Sequence, residues 1–145
     1  MDEKIIIQLR LLKKYKDILL KIRSFHKEQY LHDDILRGSA ERYLQLAIET
    51  CINIGNRILS LEQFDNNIKL PETYADIFEN LQLIKIIDQD SSENLKNMAK
   101  FRNRLVHMYW DLDNDFVYDL IQNRLNDFEK FMLIVSNYLK SRNSP

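Results

Sequence analysis

The sequence predicts an all-α protein: an antiparallel bundle of about five helices, in one domain over residues 1–145. Three observations predict it. The 145 residues include only two glycines and two prolines, and neither Asn-Gly nor Asp-Gly occurs. Hairpins and βα turns draw on those residues and dipeptides. Apolar residues recur at steps of three and four over long stretches, which is the helical period. The breaks between stretches are short and polar, as in connections between antiparallel neighbours. A chain of this length buries roughly 68–70% of its unfolded surface, enough to fold without a disulfide or metal staple.

The first helix is expected over about Asp2–Phe25. Its stripe is Ile7, Leu11, Tyr15, Ile18, Ile22 and Phe25, widened by Ile5, Leu9, Leu12 and Leu19. Polar residues from His26 to Asp34 read as a connection. The second helix runs over about Ile35–Leu61, with Leu36, Ala40, Tyr43, Ala47, Cys51, Ile54, Ile58 and Leu61 on its buried face. Gly38 sits near its start. Gly55 sits inside it, costs up to about 1 kcal/mol relative to Ala, and marks a candidate close approach between helices. Gln63–Leu70 reads as a loop. Pro71 and Glu72 open a third helix, Pro being favoured in a first turn. Thr73 and Asp76 form a candidate capping pair, and Tyr74, Ile77, Phe78 and Leu81 supply the apolar face. Ser91 or Ser92 suits the N-cap of a fourth helix over about Glu93–Met108. Asp111–Asp115 is an acidic turn. The fifth helix spans about Asp115–Leu139, buried along Val117, Ile121, Leu125, Phe128, Met132, Val135 and Leu139. Lys140–Pro145 is a fraying tail.

Composition excludes several classes of function. Cys51 is the single cysteine, so neither an intrachain disulfide nor a thiolate metal cluster can form; its place in an apolar stripe makes it a small filler. Two glycines cannot build a phosphate-cradling loop. The Glu-x-x-His spacing of di-iron bundles and the His-Glu-x-x-His of zinc hydrolases are both absent. His26, Glu28, His32, Asp33 and Asp34 cluster, but His26 and His32 would point to different helix faces, so this reads as a solvated connection and no metal site is expected. The N-terminus lacks a signal peptide's basic start and apolar core, and no run approaches the ~20 apolar residues of a membrane span. A soluble, cytoplasmic protein with no membrane association is expected. The net charge is −1 and the pI about 6.3, so any nucleic-acid site must be local rather than a global basic surface.

One local surplus exists. Leu95–Trp110 carries Lys96, Lys100, Arg102 and Arg104 and no acid. Within it, Arg102 and His107 are five apart and project about 140° from each other on one helix, while Asn103 and His107 share a face. Arg102 and His107 would meet only near a helix end or across a two-fold axis, where a second copy doubles every residue. Such a set suits RNA cleavage without a metal. An imidazole, ordinarily titrating near about 6.5, can accept the proton of a ribose 2′-hydroxyl. A planar guanidinium can hold the phosphate through two hydrogen bonds. Spacing alone leaves a plainer reading open, in which Arg102 is a surface charge, His107 a partly buried helix residue, and Tyr109 and Trp110 part of the core rim.

Phe101-Arg-Asn-Arg-Leu-Val-His-Met-Tyr-Trp110 resembles the signature of the HEPN toxins of the HepT type, an Arg followed by four to six residues, a His, and a Tyr two further on. Arg102, His107 and Tyr109 fit it without gaps. Glu41–Glu49 is similar to the family's second helix, Pro71–Leu81 to its third, and Leu95–Arg102 to the run into the motif. The resemblance implies a HEPN-like α-helical homodimer, acting as a metal-independent endoribonuclease on RNA, with tRNA a candidate substrate, and needing no cofactor. It implies catalytic roles for Arg102 and His107, an assisting role for Asn103, and RNA contacts from Lys100 and Arg104. It further implies that a partner, a minimal nucleotidyltransferase antitoxin, silences the toxin by attaching AMP to Tyr109. The competing expectation is a non-catalytic helical subunit that holds substrate for a nucleotidyltransferase; such subunits usually lack the Arg…His pair, which is intact here.

Overall fold

The structure, a computed structural model, describes residues 1–143. Among these residues there are seven α-helices, one 3₁₀ turn and no strand. The helices are α1 (Glu3–Arg23), α2 (Lys27–His32), α3 (Asp34–Glu62), α4 (Tyr74–Leu83), α5 (Gln89–His107), α6 (Asn114–Asn123) and α7 (Asn126–Arg142), with the 3₁₀ turn at Tyr109–Asp111 between α5 and α6. Among the described residues no helix is long and apolar enough to cross a membrane.

The long helix α3 is the axis of the bundle and packs against α1, α2, α4, α5 and α7. Its buried residues include Ala40, Leu44, Ala47, Ile48, Cys51, Ile54 and Ile58. These span more than one stripe, because neighbours cover α3 on several sides. Burial pushes the Cys51 thiol far above its ordinary range, which keeps it protonated and inert, as a filler should be. Phe78 of α4 meets Phe131 of α7 edge-on, with ring centroids 6.1 Å apart. Gly55 is the point of closest approach between α3 and α4: a Cβ there would lie 2.7 Å from Ile77 Cγ2.

Most helix starts are capped by side chains. Asp2 Oδ1 accepts from the Ile5 amide at 3.0 Å, and Asp33 caps α3 through the amides of Ile35 and Leu36. Thr73 and Asp76 form the expected reciprocal pair. Thr73 Oγ1 accepts from the Asp76 amide at 3.2 Å, and Asp76 Oδ2 accepts from the Thr73 amide at 3.0 Å. Each contact satisfies an amide that the helix itself leaves open.

The structure departs from the sequence reading at several boundaries. His26–Asp34 is not an open connection but holds α2, anchored by Tyr30, which is 1% exposed and packs on Tyr118 at 5.5 Å. Its titratable residues are dispersed: Asp33 caps α3, Asp34 pairs with Arg37, and Glu28 lies 3.4 Å from His32. Pro71 and Glu72 precede α4 rather than open it. Helix α5 is capped by Asp88, whose Oδ1 accepts from the Ser91 amide at 2.7 Å; Ser91 and Ser92 are instead buried in its first turn. The expected fifth helix is two, α6 and α7, with the break at Arg124–Leu125. No glycine or proline signals that break. It is a tertiary bend: Leu125, 3% exposed, is drawn into the core, while Arg124 donates to Asn94 of α5 and lies within 3.2 Å of Asp127 in the first turn of α7. On α1 the buried face is Ile5, Leu12, Leu19 and Ile22, whereas Ile7 and Phe25 are exposed. Lys140–Arg142 continues α7, held by Arg142 on Glu62 at 2.8 Å. Ser144 and Pro145 lie outside the described residues.

Candidate active site

Helix α5 is apolar on one face and polar on the other. Leu95, Met98, Ala99, Phe101 and Leu105 are buried, and Arg102 sits at the edge of that stripe with a side chain only 16% exposed. Its guanidinium is held on three sides. Nε and Nη2 both donate to Glu49 Oε1 of α3, at 3.0 and 2.9 Å. Nη1 donates to Asn103 Oδ1 at 3.3 Å. The Tyr74 ring, in the first turn of α4, lies under the guanidinium carbon at 5.1 Å. Gln45 Nε2 donates to the same Glu49 oxygen at 3.1 Å, so the carboxylate is itself oriented. Charge-assisted bonds of this kind fix both the position and the plane of an arginine.

His107 is the last residue of α5 and is exposed. The helix ends there: the Met108 amide still donates to Arg104 O at 2.9 Å, and the chain then tightens into the 3₁₀ turn. Tyr109 and Trp110 are 66% and 72% exposed, with rings edge-on at 5.4 Å. The plain reading of this segment is therefore corrected on each count. Arg102 is braced rather than a free surface charge, His107 is not partly buried, and Tyr109 and Trp110 project into solvent rather than line the core.

The local basic surplus is smaller than it reads in sequence. Lys96 is neutralised by Glu79 at 2.6 Å and Glu93 at 3.0 Å, and Arg102 by Glu49. Lys100, Asn103 and Arg104 remain exposed. Lys100, Arg104 and His107 follow at steps of four and three and so form one outward stripe, while Arg102 faces α3 and α4. Within one chain, then, the imidazole is not a hydrogen-bonding partner of the guanidinium. A hollow of about 600 Å³ opens beside Arg102, lined by Tyr74, Asn103, Asn56, Pro71 and their neighbours.

Glu49, Gln45 and Tyr74 are the site residues that pattern reading missed. Gln45 and Glu49 carried a faint signal, an i, i+4 polar pair on an amphipathic helix. Tyr74 carried a misleading one: it reads as part of α4's apolar face but is 42% exposed.

A family model described as ribonuclease HepT-like matches residues 8–135. The chain belongs to that family. Among HepT-like relatives, the mRNA nuclease HepT of Shewanella oneidensis is 36% identical over 107 residues, covering 74% of this chain and 77% of that one. The tRNA nuclease HepT of Aphanizomenon flos-aquae is 28% identical over 141 residues, covering 94% and 92%. The solved structure of the tri-AMPylated Shewanella oneidensis HEPN toxin in complex with MNT antitoxin superposes with a TM-score of 0.85 at 31% identity, covering 94% of this chain and 99% of that one. The HepT-like fold thus extends over nearly the whole chain, α5 and its exposed end included.

Proposed function

We propose that this HepT-like chain is the toxin of a toxin–antitoxin pair, an endoribonuclease that needs no metal and works as a homodimer through Arg102 and His107. One observation carries the reading: α5 offers a guanidinium whose orientation is already set and, at its exposed end, a free imidazole followed by a solvent-facing tyrosine. Preorganised charge of that kind stabilises a phosphorane-like transition state without reorganisation at the moment of reaction.

In the proposed reaction, His107 accepts the 2′-hydroxyl proton and the 2′-oxygen attacks the adjacent phosphorus. The bond to the 5′-oxygen breaks, and that oxygen takes a proton from a second imidazole. The products are a 2′,3′-cyclic phosphate and a 5′-hydroxyl. Arg102 holds the non-bridging oxygens. In one chain the two groups face different ways, so a second copy, packed through the exposed apolar side chains of Met108 and Phe116, supplies the other histidine and leaves Tyr109 open to solvent. Exposed apolar side chains of this kind favour a partner. Asn103 assists beside Arg102, and Lys100 and Arg104 meet flanking phosphates. The nucleotidyltransferase antitoxin transfers AMP to Tyr109: the phenol oxygen attacks the α-phosphorus of a nucleoside triphosphate and pyrophosphate leaves. The added charge and bulk repel the RNA backbone. An RNA substrate and a triphosphate-consuming partner support a cytoplasmic location as part of this reading.

The test incubates purified protein with total RNA, tRNA and mRNA in EDTA, beside His107→Ala. Cleavage that survives EDTA and disappears in the variant is the expected result. Wild-type-like cleavage by His107→Ala refutes the catalytic assignment. Absence of cleavage by protein whose intact mass shows no AMP on Tyr109 favours the non-catalytic subunit.

A further inference from the structure

We infer that the hollow beside Arg102 is a nucleobase subsite, with Tyr74 as its stacking platform, so that the base next to the scissile phosphate is read by α4 and α3 rather than by the motif helix alone. The inference rests on the ribonuclease reading for its geometry, because Arg102 is taken as the phosphate-holding group. Its new residues are Tyr74 and Asn56, to which that reading assigns no role.

Five observations point the same way. The hollow, about 600 Å³, falls within the ~300–1,000 Å³ typical of small-ligand sites. Its walls contain no cation; the single charged lining residue is Glu72. A phosphate is therefore disfavoured inside it, whereas a neutral base carrying an exocyclic amine is not. Its polar walls include the amide of Asn56, with a donor and an acceptor for a base edge, and that of Asn103, whose NH2 group can donate while its oxygen faces Arg102; its apolar walls are Leu70, Pro71 and Ile77. Tyr74 lines the hollow, packs against the Arg102 guanidinium and still leaves 42% of itself exposed. Aromatic rings beside a phosphate-binding arginine are how single-stranded RNA bases are held. Asn103 joins the two places, since it lines the hollow while its Oδ1 accepts from Arg102 Nη1 at 3.3 Å. A phosphate on the guanidinium and a base in the hollow thus belong to one nucleotide or to neighbours. The exposed stripe of α5 provides backbone contacts indifferent to sequence; this hollow provides base preference.

The experiment has two arms. In the first, a single-stranded 2′-O-methyl RNA carrying one 2-aminopurine, which cannot be cleaved, is titrated with wild type, Tyr74→Ala and Tyr74→Phe. Wild type and Tyr74→Phe are expected to quench the fluorophore with affinities within about two-fold of each other. Tyr74→Ala is expected to bind at least about ten-fold more weakly, the loss of one base–aromatic stack. In the second arm, cleavable RNA is cut by wild type, Tyr74→Ala and Asn56→Ala. Asn56 lies on the hollow's wall, outside the contacts of Arg102. Both variants are expected to raise KM and redistribute the cleavage positions. Unaltered binding in Tyr74→Ala, together with unaltered cleavage positions in both variants, overturns the inference and leaves the nuclease reading intact. Tyr74-dependent binding by a protein that cuts no RNA sinks the nuclease reading and leaves the subsite standing.

Discussion

Replacing each glycine by alanine has opposite expected outcomes, although both lie in α3. At Gly38 an added Cβ meets nothing within 4 Å, so only the backbone term operates. Alanine is the better helix former and loses less conformational freedom on folding, by about 0.5–1 kcal/mol. At Gly55 the same gain applies, but the new methyl arrives 2.7 Å from Ile77 Cγ2 and 3.4 Å from Leu81 Cδ1. Ile77 is 2% exposed and β-branched within a helix, where one rotamer dominates, so it cannot swing aside. Helices α3 and α4 must separate, and overpacking of this kind costs about 1–3 kcal/mol. The net is a loss of up to about 2.5 kcal/mol. With an unfolding entropy of about 2.1 cal/mol/K per residue over 145 residues, Gly55→Ala lowers Tm by up to about 8 °C, while Gly38→Ala raises it by about 2–3 °C. Differential scanning calorimetry at fixed protein concentration reads both. Ile77→Leu removes the offending branch, so combining it with Gly55→Ala should cost less than the sum of the two single changes. A Gly55→Ala protein as stabilised as Gly38→Ala, or a strictly additive double variant, refutes the close-approach argument.

Two further outcomes are expected from the ion pairs. Glu49→Ala frees the Arg102 guanidinium by removing two charge-assisted hydrogen bonds; steady-state RNA cleavage should lose about 10–100-fold in kcat/KM, with Glu49→Gln intermediate because it keeps one acceptor, and equal activity in all three contradicts the bracing role. Arg57 holds the Asp2 carboxyl below its ordinary value, so the folded state binds that proton less tightly than the unfolded chain, and the stabilisation is present above the ordinary value of 3.8 and disappears as pH falls through the lowered one. Asp2→Asn, which keeps the cap on Ile5, should therefore cost up to about 1 kcal/mol in urea unfolding at pH 7 and progressively less as pH falls below 3.8; a deficit that does not shrink in acid disproves the assignment.

Elements whose fate depends on local pattern were legible before folding. The stripe of α3, its start near Asp34, and the Thr73–Asp76 pair are written in residue spacing and capping chemistry, which act within a turn or two. Gly55 was legible as an anomaly, since a glycine inside a long helix costs stability unless something needs its missing side chain. The α6–α7 break, the helix α2 and the choice of Asp88 over Ser91 or Ser92 were not. Each depends on what a distant element offers: a core position for Leu125, a ring for Tyr30 to pack on, a carbonyl of α4 for the buried Ser92 hydroxyl.

The candidate site divides along the same line. The run from Arg102 to Tyr109 is contiguous, so residue identity and helical period alone put a guanidinium, an amide, an imidazole and a phenol on one helix end. Which of them are held and which are free is a matter of packing. Glu49 lies 53 residues before Arg102, and Tyr74 lies on another helix. Only when α3, α4 and α5 pack together do these side chains reach the guanidinium, because contact between residues so far apart in sequence is set by how helices approach one another and not by any period along the chain.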